Sequence, residues 1–100
     1  MADVIVPTVH LNGTSGESLI EQLNTVDLAL DAAMTAMADA TPHDRDYYVQ
    51  ADPDAGAKAR HAHIERMKRI EAVQHEIMEL RLGVYTQLHP RAPMRETTNG

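Results

Sequence analysis

Cysteine is absent from this 100-residue chain, as are tryptophan and phenylalanine, and tyrosine occurs only three times. Without cysteine there is no disulfide, no thiolate nucleophile and no thiolate-bound zinc. Without large aromatics, the core lacks the side chains that fill space most efficiently. The hydrophobic fraction of 43% overstates core-forming capacity, because fourteen of those residues are alanine. A lone monomer of this size and make-up buries a small share of its surface. A homo-oligomer is therefore expected, built from a single domain.

Long apolar runs are also missing. No stretch of 18 apolar residues is present, and the first residues lack the basic flank and apolar core of a secretory signal. The sequence thus predicts a cytoplasmic protein without membrane contact. Positive charge is scarce, with nine Lys and Arg against fifteen Asp and Glu and a formal net charge of −6. That balance excludes non-specific nucleic-acid binding, which needs cations to displace counterions from phosphates. A local basic patch remains compatible with it.

What is present begins with Val9-His-Leu-Asn-Gly-Thr-Ser-Gly-Glu-Ser18, an apolar run that breaks at Asn12-Gly13 and opens into a helix. Thr14 and Glu17 have the spacing of a capping box, in which a hydroxyl takes an orphan amide and the carboxylate reaches back to the cap. Asn12, Gly13, Thr14 and Ser15 also suit an anion, because small residues let a ligand approach amides that carry partial positive charge. Ahead of this turn, Val4, Ile5, Val6, Val9 and Leu11 surround Pro7 and read as an extended arm over residues 1–14 together with the turn.

The first helix is predicted over about 15–40, with Leu19, Leu23, Val26, Leu30, Ala33 and Met37 spaced alternately by four and three. Thr41-Pro42 ends it. Asp52 as N-cap and Pro53 at the first helical position start a second helix, expected over about 53–88. Its seam is Ile70, Val73, Ile77, Leu80 and Val84, with Met67, Met78 and Leu88 beside it. Gly83 costs about 1 kcal/mol within a helix and calls for close packing or a bend. The fold class is therefore mainly α: an extended N-terminal arm followed by an antiparallel hairpin of two long helices, 15–88, that assembles into an oligomeric bundle. Residues 89–100 carry no apolar period and read as a flexible tail.

The connection 41–52 is longer than a minimal helical hairpin needs. Arg45, Tyr47 and Tyr48 place a guanidinium, two stacking faces and two hydroxyls within four residues. They suit either a ligand or the closing of a bundle end. Residues 58–69 are locally basic. Arg60, His63, Arg66 and Arg69 form a secondary patch, read either as a solvated helix end, with Glu65 and Arg69 paired, or as an electropositive wall.

No catalytic constellation emerges. Ser15 and Ser18 lack the strand–turn–helix setting of a nucleophile elbow, and the six histidines place no base beside them. His61 and His63 point about 200° apart on a helix, so metal ligation is not expected, and no cofactor is implied. Geometry also limits the anion site. The first helix spans roughly 39 Å, so Gly13–Ser15 and Arg45–Tyr48 lie at opposite ends of one chain. The turn needs a second component, either Arg81 and Tyr85 returning on the second helix or the Arg45–Tyr48 connection of another subunit.

With Val6-Pro-Thr-Val-His-Leu-Asn-Gly-Thr-Ser15 and Arg45-Asp-Tyr-Tyr48, the chain resembles small helical proteins encoded by tailed phages and prophages, by layout over about residues 6–82. The resemblance implies a phage accessory role. Proteins of that kind include oligomeric sponges that sequester cyclic or phosphorylated nucleotide immune signals, anti-CRISPR-type inhibitors that bind host proteins, and minor assembly factors. The sponge draws on more of the unusual features: a helix-start turn for phosphate, Tyr47 and Tyr48 for a base, Arg45 for charge, and subunit junctions to gather them. The inhibitor or assembly reading uses acidic Asp27, Asp31 and Asp39 as mimicry of nucleic acid, or the basic stretch as a docking face for a host protein.

Overall fold

A computed structural model describes residues 3–90, which are mainly helical, with two helices and no strand among them, consistent with a helical hairpin. Helix α1 is Gly16–Asp39 and helix α2 is Ala55–Leu88, with a single 3-10 turn at Asp44–Asp46 between them. The tail expected over 89–100 lies outside the described residues from 91 onward.

The start of α1 is capped one residue later than the capping box predicts. Ser15 Oγ accepts the amide of Ser18 at 3.1 Å, and Ser15 O accepts that of Leu19 at 3.0 Å. Thr14 and Ser15 both carry a hydroxyl suited to the task. Gly16, the first residue of α1, is buried under Leu88, and a Cβ there would lie 2.5 Å from Leu88 Cδ2. At the other end, Ala38 O accepts both the Thr41 amide and the Thr41 hydroxyl, and Pro42 stops the helix.

The start of α2 also differs. Asp52 Oδ1 takes the amide of Asp54 at 2.8 Å, so it caps a turn, and the first i→i+4 bond runs from Lys58 N to Asp54 O. The helix therefore begins after Asp54 instead of at Pro53. Lys58 Nζ reaches back to Asp52 Oδ2 at 2.7 Å.

The chain divides into two compact units, Met1–Asp27 with His75–Gly100, and Leu28–Gln74. In the first, Arg81 donates to Asn24 at 2.7 Å and approaches Asp27 at 3.7 Å. Val84, in α2, is the one fully buried hydrophobic side chain among the described residues. The N-terminal segment of this unit lies along α2 through Gln87, whose amide donates to Pro7 O and accepts from Val9 N, both at 2.8 Å. Val6 faces Gly83, where a Cβ would stand 2.6 Å from Val6 Cγ1. The helix glycine is thus explained by close packing.

In the second unit, Gln74 donates to Asp31 at 2.8 Å, and His63, 5% exposed, makes a 2.6 Å hydrogen bond to Met37 O. The expected seam is half-buried or buried at Leu19, Leu23, Leu30, Ala33 and Met37 of α1 and at Ile70, Ile77, Leu80 and Val84 of α2, and it fails at one position in each helix. Val26 and Val73 face solvent, 41% and 43% exposed, while Asp27 and Gln74 take the half-buried places. Of the residues expected beside the seam, Met67 and Leu88 are half-buried and Met78 is exposed. At Asp27 and Gln74, polar residues with partners take the half-buried places over apolar ones, since Gln74 donates to Asp31 and Asp27 forms an ion pair with Arg81 at 3.7 Å.

Candidate functional site

The connection builds a pocket. Pro42 ends α1, and the 3-10 turn then closes with His43 Nδ1 accepting the Arg45 amide at 3.2 Å and His43 O accepting that of Asp46 at 3.0 Å. Asp44 O accepts the amides of both Tyr47 and Tyr48, at 2.9 and 3.0 Å. One carbonyl thereby sets the position of two aromatic residues. They line a cavity of about 340 Å³ with Asp44, Pro53, Asp54, Gly56, Ala57 and Arg60. Tyr47 is half-buried and Tyr48 largely exposed.

Charge in the pocket comes from Asp44, Asp54 and Arg60. Arg60 Nη1 donates to Asp44 Oδ1 in a close ion pair, and the same carboxylate oxygen crowds the bare Cα of Gly56. Arg60 lies near the start of α2. The arrangement offers aromatic faces, a cation and a small-residue floor. It holds no nucleophile–base pair, and among the described residues no group of three or more His, Asp or Glu is placed to hold a metal.

The expected residues scatter differently from their order in the sequence. Tyr47 and Tyr48 line the pocket, but Arg45 is exposed and is not among its lining residues. Arg60, assigned from sequence to the basic patch, supplies the cation instead. Of the rest of that patch, His63 is buried against Met37 O, while Arg66 and Arg69 are exposed, and Glu65 pairs with Lys68 at 3.5 Å instead of Arg69. Asn12, Gly13, Thr14 and Ser15 are exposed at the start of α1, with Gly13 N bonded to His10 O at 3.1 Å. Arg81 is engaged by Asn24 and Asp27, well inside α1, and does not meet that turn.

Tyr85 opens into a second, shallower groove of about 440 Å³ lined by Glu17, Ile20, Glu21, Asn24, Leu88 and His89. Its ring lies 4.2 Å from that of His89. Two carboxylates and no Lys or Arg line this groove, so it repels an anion. Asp44, Gly56 and Gln87 carry contacts that sequence reasoning missed. A glycine in the first turn after Asp52-Pro53-Asp54 is the one signal that pointed toward a close approach there.

Asp52, at the edge of this region, has its carboxyl held below the ordinary value of 3.8, first by the Lys58 ammonium and then by the Asp54 amide. A lowered folded value means that its contribution is complete above pH 3.8 and is lost as pH falls through the folded value. The protection factor of the Asp54 amide, relative to intrinsic exchange at each pH, is therefore expected to fall as pH drops below 3.8 in the wild type. In Asp52→Asn that step disappears.

No family model, curated protein or solved structure matches the chain. Among the described residues, no helix is long and apolar enough to cross a membrane.

Proposed function

We propose that this chain is a non-catalytic binding protein that holds a small phosphorylated nucleotide in the pocket beside the first turn of α2. The observation that carries the reading is one cavity of about 340 Å³ that gathers Tyr47, Tyr48 and Arg60. Its volume falls in the range of small-molecule sites. A base stacks on a tyrosine face, and phosphate meets Arg60 and the amides at the helix start. Capture without catalysis is what a sponge does, and the phage accessory role implied by the two sequence motifs gives it an immune signal to sequester in the host cytoplasm.

Assembly belongs to the same proposal. With Val84 the one fully buried hydrophobic side chain among the described residues, and Leu28, Ile64 and Leu82 each more than half exposed, further burial in a homo-oligomer supports the fold. The Asn12–Ser15 turn then draws its cation from another subunit, with Arg45 as donor. The same exposed side chains favour a second reading, in which the chain is a protein-interaction module such as an inhibitor of a host protein or a minor assembly factor.

Calorimetry with a panel of linear and cyclic nucleotides separates the two. Saturable heat is expected for at least one nucleotide, weakened about tenfold or more in Tyr47→Ala, with oligomer size by light scattering unchanged. Absence of heat across the panel, with a host protein co-purifying, favours the interaction module.

A further inference from the structure

We infer that the pocket carries its own competitor, with the Asp44 carboxylate seated where a ligand phosphate goes, and that this latch lowers the affinity of every phosphorylated ligand by one common factor while Arg60 favours the more highly charged phosphate. The inference rests on the nucleotide reading above and adds its regulation and ligand class.

Three contacts converge on Asp44. Its Oδ1 accepts from Arg60 Nη1, the same oxygen lies in the space that a Cβ on Gly56 would occupy, and the residue lines the cavity between the tyrosines and the start of α2. A cation, a bare Cα that permits close approach, and a helix start are the parts of an anion seat. Here an anion already sits in it, supplied by the chain. Asp44 is also the residue whose carbonyl positions Tyr47 and Tyr48, so the latch and the aromatic faces share one short turn.

The latch is weak enough to open. The side chains of Asp44 and Arg60 are 72% and 40% exposed, and an exposed pair shifts an equilibrium by no more than about fivefold. Only the carboxylate must move, because the backbone bonds of the 3-10 turn do not involve it. Asp54 remains in the lining and opposes any anion. A terminal phosphate monoester, close to doubly charged at neutral pH, gains more from Arg60 than a singly charged cyclic phosphodiester and displaces Asp44 more readily. The favoured ligand is therefore a nucleoside monophosphate type with a free terminal phosphate.

The test is calorimetric titration of the full chain with AMP and with 3′,5′-cyclic AMP, on the wild type, Asp44→Asn, Gly56→Ala and Arg60→Ala. Asp44→Asn is expected to bind AMP about threefold to fivefold more tightly than the wild type, with the preference for AMP over the cyclic form unchanged. Gly56→Ala fills the seat itself and is expected to weaken AMP binding tenfold or more, with helix content by circular dichroism no lower than wild type, as alanine is the better helix former. Arg60→Ala weakens it likewise. If the wild type binds AMP and Asp44→Asn binds it equally or less well, the latch is overturned while the nucleotide reading stands. If neither protein binds AMP or any nucleotide of the panel, both fall.

Discussion

Gly16→Val is expected to lower the melting temperature by roughly 8–16 °C, corresponding to about 2 kcal/mol of overpacking in a domain of this size. The cause is local. Gly16 is buried in the first turn of α1, and a Cβ there would stand 2.5, 2.8 and 2.8 Å from Leu88 Cδ2, Cδ1 and Cγ. All three distances are below van der Waals contact, so rotation of the terminal methyls does not relieve them. Either Leu88 leaves its place or the last turn of α2 moves off α1. Leu88→Ala removes the obstruction, so the double variant Gly16→Val/Leu88→Ala should lose less than the two single losses combined. Thermal melts of the four proteins check this. Additive losses would mean that Gly16 and Leu88 are not in contact.

Val84→Ala is expected to cost about 2 kcal/mol, from the transfer of two methyl groups and the cavity left behind. Leu28→Ala and Leu82→Ala remove more carbon, yet each should change stability by no more than about 0.5 kcal/mol. The reversal follows from burial, since Val84 is 0% exposed whereas Leu28 and Leu82 are 70% and 60% exposed. Urea denaturation of the three variants at low protein concentration reads it out. A large loss in Leu82→Ala that grows with protein concentration would show that the exposed leucine is covered by assembly.

The helices were legible because their punctuation is strong. Thr41-Pro42 and Asp52-Pro53 bracket the connection, and apolar spacing by three and four marks long helices on either side. The seam holds except at Val26 and Val73, because periodicity scores only apolar residues. It ranks Val26 above Asp27 and Val73 above Gln74, but it has no means of knowing that Asp27 lies near Arg81 or that Asp31 accepts from Gln74. Polar pairing between distant positions decides the face, and a single sequence does not display it.

The site was legible in its aromatics and not in its cation. Tyr47 and Tyr48 stand out in a chain otherwise almost free of aromatic residues, and they line the pocket. Arg45 was the nearest cation along the chain. Arg60, sixteen residues beyond Asp44, is nearer in space because α2 begins only after the turn built by Asp52 and Asp54. The same displacement explains His63. Counted with a basic stretch by its neighbours in sequence, it is carried inward by the helix phase and meets Met37 O. Gln87 gave no signal at all, since its role depends on the backbone of Pro7 and Val9 arriving beside it.

Nuclear magnetic resonance titration of the isotopically labelled wild-type chain with AMP tests the pocket most directly. Saturable shifts are expected at the amides of Tyr47, Tyr48, Gly56 and Ala57 and at the Arg60 side chain, with Asn12–Ser15 unmoved at low ligand ratios. Shifts centred instead on Asn12–Ser15 or on the Tyr85–His89 groove, or no shifts at millimolar AMP, would contradict a nucleotide site at the connection.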